Sequence, residues 1–177
     1  MAPEFDLFLL EDMDKYQVRE YVSTLLWQIR ICDAFWFLNV EQRHGLAEAE
    51  KINELVWDKV GALAARDIVE RFGPFEDSPR GFWEAYEYLC WSPMVEYQVE
   101  EEEDALTVTV RSCPAQAGRR KHGLGPYACR EMHGGEYRRF AELAAPSVRV
   151  ECVHAPPDDT ERDYDCRWRF AARKSGD

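Results

Sequence analysis

The sequence predicts an α+β protein in which a long N-terminal helical hairpin and a third helix pack on a four-stranded antiparallel sheet of ββαββ topology. Three observations predict this class. Apolar residues recur at helical spacing through the first half of the chain, and the period changes from 3.6 to 2 residues after Trp91. The composition, with 46% hydrophobic and 13% aromatic residues, is typical of an ordered chain with a sizeable core.

Two long helices are predicted first. Asp14 is a favourable N-cap, and apolar residues follow it at helical spacing until His44-Gly45 ends the helix. The second helix is predicted from Leu46 to Phe72, where Gly73-Pro74 stops it. Because the link around Gly45 is so short, we expect the two helices to form an antiparallel hairpin.

A third helix and a strand pair follow. Ser78-Pro79 begins the shorter third helix, since serine is a good cap and proline is tolerated in the first turn. Trp91-Ser92-Pro93 ends it. Alternating apolar and polar residues from Val95 to Val99 and from Leu106 to Val110 predict two strands joined by an acidic turn.

The last part of the chain predicts one more helix and two more strands. A glycine-rich loop is predicted from Cys113-Pro114 to Gly125-Pro126, and then a helix from about Tyr127 to Ala144 that is interrupted at Gly134-Gly135. Strands are predicted from Val148 to His154 and from Cys166 to Phe170. This helix covers one face of the sheet, so we expect the helical hairpin to cover the other.

The domain organisation predicted from these elements is one unit with two tails. The helical region 14–92 and the ββαββ region 93–172 form the unit, and residues 1–13 and 173–177 are the tails.

Charge and hydropathy exclude several classes of partner. A net charge of −12 repels nucleic acid and anionic membrane surfaces, so neither is an expected partner. No stretch approaches the ~20 apolar residues of a membrane span, and no basic region precedes the short apolar run near the N-terminus. We therefore expect a cytoplasmic protein whose six cysteines are thiols or ligands. The basic run Arg119 to His122 predicts a solvated loop or a small anion-binding rim.

The helical hairpin carries a first group of candidate residues. Glu41 and His44 stand three apart on a helix, the Glu-x-x-His spacing that offers two ligands to one metal. The only other match, Glu151 to His154, lies on a predicted strand, where residues three apart face opposite sides, so a di-iron site is disfavoured. The alternative is that His44 caps the helix end and Glu41 is solvated.

The same hairpin predicts a ligand pocket. If its two helices face each other as expected, they enclose a small polar pocket between two indoles, formed by Asp33, Trp36, Asn53 and Trp57. The alternative is ordinary packing of two tryptophans.

The second group consists of cysteines from the sheet region, Cys113, Cys129, Cys152 and Cys166. Four thiolates, or three with His133 or His154, suit zinc or an iron–sulfur cluster. No Cys-x-x-Cys pair is present, and buried inert thiols are the alternative. A nucleophilic site is a further option, with Cys129 or Cys113 beside His133 or His122.

Several motifs resemble a known family over most of the chain, from about Tyr16 to Phe170. They comprise Asp33-Ala34-Phe35-Trp36-Phe37, Glu41, Gly45, Ala49, Asn53, Trp57, Arg66, Cys113-Pro114, Cys129, Pro146, Cys152 to Asp158 and Cys166 to Phe170. The chain resembles a family of uncharacterised bacterial and archaeal cytosolic proteins that is distantly similar to L-2-amino-thiazoline-4-carboxylate hydrolases. That similarity implies attack on the C=N bond of a small sulfur heterocycle.

The C-terminal unit is also similar to the small-molecule-binding domain of vinyl-reductase type, in which cysteines are suspected metal ligands. This chain departs from its relatives at Ala34, where glycine is expected, and at His154, where cysteine is expected. The second departure leaves a mixed cysteine and histidine metal site open.

Three functions are compatible with these residues. The first is binding of a small molecule or a metal, zinc or iron, where the helices meet the sheet. The second is hydrolysis of a small cyclic amidine or amide, with a cysteine or a metal-bound water as nucleophile and Glu41 or His133 as base. The third is a non-catalytic interaction subunit, for instance in a homo-oligomer, which exposed tryptophans favour.

Overall fold

The computed structural model of the chain describes residues 5–158 and 162–173, so the outer parts of both predicted tails, residues 1–4 and 174–177, lie outside the described residues. The α+β class is confirmed. Over the described ranges the helices are α1 Lys15–His44, α2 Leu46–Phe72, α3 Pro79–Tyr86, α4 Pro114–Lys121 and α5 Arg130–Ala144. The strands are β1 Tyr97–Glu102, β2 Ala105–Val110, β3 Val148–His154 and β4 Cys166–Ala172.

Local hydrogen bonds fix the predicted helix ends. The Asp14 side chain accepts from the Gln17 backbone N–H while the Gln17 side chain accepts from the Asp14 backbone N–H, both at 2.9 Å. Gly45, at φ +88°, ends α1 and begins α2, a conformation that favours glycine. Ser78 caps α3 by accepting from the Gly81 N–H at 3.1 Å. The sequence located these ends correctly because each depends on residues within a few positions.

The sheet is antiparallel throughout, with strand order β1-β2-β4-β3. Its apolar face packs against α3 and α5 and forms the main core, in which the Phe82 and Phe170 rings lie 4.5 Å apart. The largest fully buried side chains of this core are Trp168, Tyr86, Phe82, Phe140, Phe170, Leu89 and Leu106. The predicted alternation along the strands is confirmed, since the buried core residues of β2 and β4 repeat with period 2: Leu106, Val108 and Val110 on one, Cys166, Trp168 and Phe170 on the other.

The helical hairpin occupies a different position from the one expected. α2 packs on α5 and α3 instead of the second face of the sheet. That second face is polar: Arg167 donates to the Thr109 hydroxyl at 2.8 Å, and Arg169 donates to Glu102 at 2.7 Å. Polar and charged side chains dominate it, so it does not suit an apolar helix face and the hairpin lies on the helical layer.

Three local predictions were wrong. The first concerns α3, which ends at Tyr86 instead of at Trp91. The Tyr88 and Leu89 N–H groups donate to carbonyls only three residues back, so the chain continues as turns.

The segment predicted as a glycine-rich loop contains α4, which begins with Pro114 in its first turn and ends with three basic residues, both favourable helix-end signals. α5 begins at Arg130 and continues without interruption through Gly134-Gly135. Its extensive contact with α2 outweighs the cost of about 1 kcal/mol that each glycine adds in a helix interior.

Over the described ranges, no helix combines the length and the apolar character that crossing a membrane requires.

Candidate functional site

A cavity lies where the helical hairpin meets α4, α5 and the sheet. It has two adjoining parts, an inner chamber of about 60 Å³ and an outer chamber of about 200 Å³. Both chambers are lined by Asp33, Asn53, Trp91, Pro114, Ala115 and Tyr127. The inner chamber adds residues of α2, α3, α5 and the sheet, among them Trp57, Tyr86, Tyr97, His133, Glu136 and Cys166. The outer chamber adds residues of α1 and α4, among them Arg30, Phe37, Leu38, Gly118, Arg119 and His122.

Asp33 on α1 supplies a carboxyl group to both chambers. Burial raises the pKa of Asp33, a hydrogen-bonding interaction with the Trp57 side chain opposes that rise, and the negative charge of Glu136 adds to it. The negative charge of an ionised Asp33 is therefore not fully balanced by the described protein groups around it.

Asn53 on α2 is the least expected polar residue of the cavity. It is only 5% exposed, and its side-chain amide makes no hydrogen bond to any other residue within 5–158 and 162–173. The Asn53 amide atoms are not fully buried, so they open onto the cavity. The indole N–H of Trp91 in the same lining is fully buried and has no partner among the described residues, which costs about 1–3 kcal/mol. Since Asn53 lines both chambers, its amide is available to whatever occupies them.

A histidine and a glutamate form a pair in the inner chamber. His133 Nδ1 lies 2.9 Å from Glu136 Oε2, and the Tyr86 hydroxyl donates to Glu136 Oε1 at 3.2 Å. The close crossing of α2 and α5 helps to fix this pair, since a Cβ on Gly61 would lie 2.9 Å from the Glu136 carbonyl oxygen. A carboxylate that holds one imidazole nitrogen orients the ring, which is the arrangement of a general base.

Aromatic rings form much of the cavity wall. Trp57 and Trp91 meet edge to face with ring centroids 6.2 Å apart, and Phe37 lies 5.0 Å from Tyr127. Trp36 lies elsewhere: it is 38% exposed and lines a shallow groove on the outer side of α1. The second indole of the cavity is therefore that of Trp91, and Trp36 does not contact this space.

Glu41 is held in an ion pair with Arg119 of α4. Arg119 donates to the two carboxylate oxygens at 2.6 and 3.0 Å, and its Nε donates to the Gly125 carbonyl at 2.6 Å. The hydrogen bonds from Arg119 lower the pKa of Glu41. A carboxylate bound on both oxygens is a poor proton acceptor, so this geometry favours an anchor between α1 and α4 over the predicted role as base.

The basic run is therefore not a solvated loop. Arg119 is buried beside Glu41, and Arg120 donates to both oxygens of Asp165 at 2.8 and 3.0 Å. Asp165 also accepts from the Cys113 backbone N–H at 2.6 Å. These contacts hold both ends of α4 against the cavity.

The four clustered cysteines lie around the inner end of the cavity. Cys113 and Cys166 line the inner chamber, Cys129 is buried at the N-terminus of α5, and Cys152 is half-buried on β3. Burial raises the pKa of all four thiols, that of Cys129 to about 12. Protonated thiols are poor nucleophiles and poor metal ligands. This environment therefore favours the alternative that the four cysteines are buried, unreactive thiols.

Within 5–158 and 162–173 no three histidine, cysteine, aspartate or glutamate side chains are grouped so as to hold a metal ion. His154, the alternative ligand, pairs instead with Asp158, its Nδ1 lying 3.4 Å from the carboxylate. A zinc or iron site at the four cysteines stays a prediction.

Comparison with known proteins places the chain in a family. The profile of a family of unknown function, DUF6125, matches residues 13–172. The chain belongs to the DUF6125 family. The match includes every residue that lines the two chambers, so the cavity lies wholly within the DUF6125 region. It gives no link to thiazoline carboxylate hydrolases. No curated protein matches the chain.

Within this DUF6125 chain, the fold brings together part of the predicted set and adds residues that the sequence did not suggest. Asp33, Asn53 and Trp57 meet in the cavity as the hairpin geometry predicts, together with Cys113 and Cys166. The residues missed are Tyr86, Trp91, Tyr127 and Glu136. The sequence could have identified Glu136 as a candidate site residue. It is an acid on the apolar side of α5, four residues from both Met132 and Phe140.

Proposed function

We propose that this protein binds a small molecule in the two-chambered cavity between the helices and the sheet. Two polar groups that line both chambers carry the proposal: the buried indole N–H of Trp91, which has no hydrogen-bond partner among the described residues, and the Asn53 amide, which opens onto the cavity without a hydrogen bond. The outer chamber, at about 200 Å³, is smaller than the ~300–1,000 Å³ typical of drug-sized ligands. The ligand is therefore a small metabolite-sized molecule.

The composition of the walls supports the same function. The chambers are mostly apolar and aromatic, with a few polar groups that converge from α1, α2 and α5. This is the usual character of a small-molecule site, in which apolar walls give affinity and a few polar groups give orientation. A ligand held there touches both the helical region and the sheet region, so its binding stabilises the fold as a whole.

The test is a fragment screen by ligand-observed NMR with a variant that fills the outer chamber. Gly118 lines this chamber, and a Cβ built on it meets no atom within 4 Å, so Gly118→Leu adds a side chain to open space. The substitution also removes a glycine from α4, which favours the helix by up to about 1 kcal/mol. We expect fragments that bind the wild type to lose binding to Gly118→Leu.

Gly125→Leu is the matched control. A Cβ on Gly125 also meets no atom within 4 Å, but this residue lines neither chamber. Fragments that bind the wild type, Gly118→Leu and Gly125→Leu equally would contradict the proposal. The absence of any fragment that binds the wild type would contradict it as well.

Hydrolysis of a small cyclic amidine or amide is a second candidate, favoured by the oriented His133-Glu136 pair. In such a reaction water adds to the C=N or carbonyl carbon as His133 takes its proton, and the imidazolium returns that proton to the departing nitrogen. The thiols need not take part, in keeping with their raised pKa values. Turnover of a cyclic amidine or amide panel should be lost in His133→Gln and kept in His44→Gln, which alters an exposed histidine away from the cavity. Equal turnover in both variants would exclude this role.

Exposed apolar side chains of α1 favour the interaction role as a further candidate. Trp27 and Phe35 are 59% and 63% exposed, and Leu25 and Ile29 on the same helix are exposed as well. A second copy of the chain is the simplest partner for such exposed side chains. Light scattering should show a dimer that Trp27→Ser weakens and that Leu143→Ser, an exposed leucine on α5, leaves unchanged. A monomeric wild type at the highest accessible concentration would contradict self-association.

A further inference from the structure

We infer that the cavity's ligand is a small organic cation, a primary or secondary ammonium ion whose charge lies in the inner chamber near Asp33, Glu136 and Asn53. This inference rests on the proposed function and specifies the chemical class of the ligand.

The inner chamber has an excess of negative charge. Its described lining contains two carboxyl groups, Asp33 and Glu136, and no lysine or arginine. His133 is the one histidine of that described lining, and it is already engaged with Glu136. A buried carboxylate is costly unless a positive group compensates it, so a cation is stabilised here and an anion is excluded.

Aromatic rings surround the same space. Trp57, Trp91 and Tyr127 line the inner chamber from α2 and from the segments before β1 and α5. The faces of aromatic rings carry partial negative charge and attract cations, by about 0.5–2 kcal/mol for each favourable contact. Apolar walls of this kind hold a cation without adding a competing positive charge.

The hydrogen-bonding groups select an ammonium ion that carries N–H donors. The Asn53 side chain offers a carbonyl oxygen with no partner among the described residues, and Asp33 offers a carboxyl group to the same chamber. The unpartnered donor of this described lining, the Trp91 indole N–H, is left for the remainder of the ligand. Primary and secondary ammonium ions donate to such acceptors, whereas a quaternary ammonium ion has no N–H to donate.

The outer chamber determines the orientation of the ligand. Arg30 lines it with a positive charge, and Arg119 is already neutralised by Glu41. A positive head group is repelled from this end and drawn to the inner one, while Phe37 and Leu38 offer apolar contact to the remainder of the molecule.

Calorimetric titration with three probes of matched shape tests the inference. The probes are benzylammonium, benzyl alcohol and benzoate, which present a cation, a neutral group and an anion on the same ring. At pH 7 we expect benzylammonium to bind at least about tenfold more tightly than benzyl alcohol, and benzoate to show no binding.

Two variants locate the charge that is responsible. Asp33→Asn keeps the shape of the side chain and should weaken benzylammonium binding at least about tenfold while leaving benzyl alcohol binding unchanged. Asp67→Asn is the control, because Asp67 is an acid of the same helical hairpin that pairs with Arg71 at the surface. It should leave all three affinities unchanged.

The failure of this inference is distinguishable from failure of the proposed function. Benzyl alcohol or benzoate binding as tightly as benzylammonium, in a manner lost in Gly118→Leu, overturns the cation class and keeps the cavity as a binding site. Binding of none of the three probes at millimolar concentration also overturns the cation class, and the fragment screen then decides separately whether the cavity binds anything.

Discussion

The main core and the cavity are both built from aromatic side chains. In the core these side chains fill the interior, whereas in the cavity they surround an open space. Between α3, α5 and the sheet, the rings of Phe82, Phe140 and Phe170 are 0% exposed and fill the space by direct contact. In the cavity, aromatic rings instead surround a space that also contains Asp33 and Asn53. The core therefore stabilises the fold, whereas the cavity keeps polar groups that the fold does not need. Substitutions in the two regions should differ accordingly.

The largest expected effect is in the core. Phe82→Ala removes a ring that contacts Tyr86, Tyr137, Phe140 and Phe170, and should lower the free energy of unfolding by about 3–5 kcal/mol. Urea denaturation measures this loss. A loss below about 1 kcal/mol would mean that this region is not the stabilising core.

The next effect concerns the contact between the two regions. Gly61→Val places side-chain atoms against the Glu136 backbone, where even a Cβ would lie 2.9 Å from the carbonyl oxygen, and should cost about 1–3 kcal/mol. Gly135→Ala is the matched control on the facing helix, since its Cβ would lie at an ordinary 3.5 Å from Asp58. The control should be neutral or stabilising, and equal losses in both variants would contradict the close crossing at Gly61.

A pH-dependent effect is expected at the wall of the outer chamber. Glu41→Gln weakens the ion pair with Arg119 and should cost about 1–2 kcal/mol at pH 7. Because the folded-state pKa of Glu41 is lowered from 4.5, its contribution is present above that value and is lost as the pH falls through the folded-state pKa. The difference between variant and wild type should therefore shrink below about pH 4.5, as followed by denaturation at a series of pH values. A difference that is independent of pH would argue against an ionised Glu41 as the anchor.

The smallest effect on stability is expected inside the cavity. Asn53→Leu replaces an unpaired buried amide with an apolar group of similar size, so the free energy of unfolding should change by less than about 1 kcal/mol, with stabilisation the favoured sign. The same substitution should abolish binding of the probe cation. A loss above about 2 kcal/mol would show that Asn53 serves the fold, and would remove the difference between the two regions.

Sequence reasoning located elements whose signals are local. The N-cap at Asp14, the helix end at Gly45 and the alternation along the strands each depend on neighbouring residues, and all were confirmed. α4 was missed because Gly118 and the glycines after it outweighed the favourable Pro114 at its start. The uninterrupted α5 was missed because its stability comes from contact with α2, which lies far away in sequence.

The candidate site was predictable to the extent that the hairpin determines it. Asp33, Asn53 and Trp57 followed from two facing helices, but rotation about the helix axis puts Phe37, and not Trp36, on the inward side. Trp91 and Tyr127 lie in connecting segments, whose path is set by tertiary contacts. Hydrophobic periodicity also could not predict that the hairpin packs on α5. The polar face of the sheet formed by Thr109, Arg167 and Arg169 was the one signal that the hairpin would not cover the sheet.

The most direct test of the cavity as a cation site is an NMR titration of ¹⁵N-labelled protein with benzylammonium. The account predicts saturable shifts of the Asn53 side-chain amide and the Trp57 indole N–H. The indole N–H of Trp27, which is 59% exposed on α1 away from both chambers, should remain unchanged. Shifts confined to Trp27, or an Asn53 amide that does not respond while the probe binds, would contradict the account.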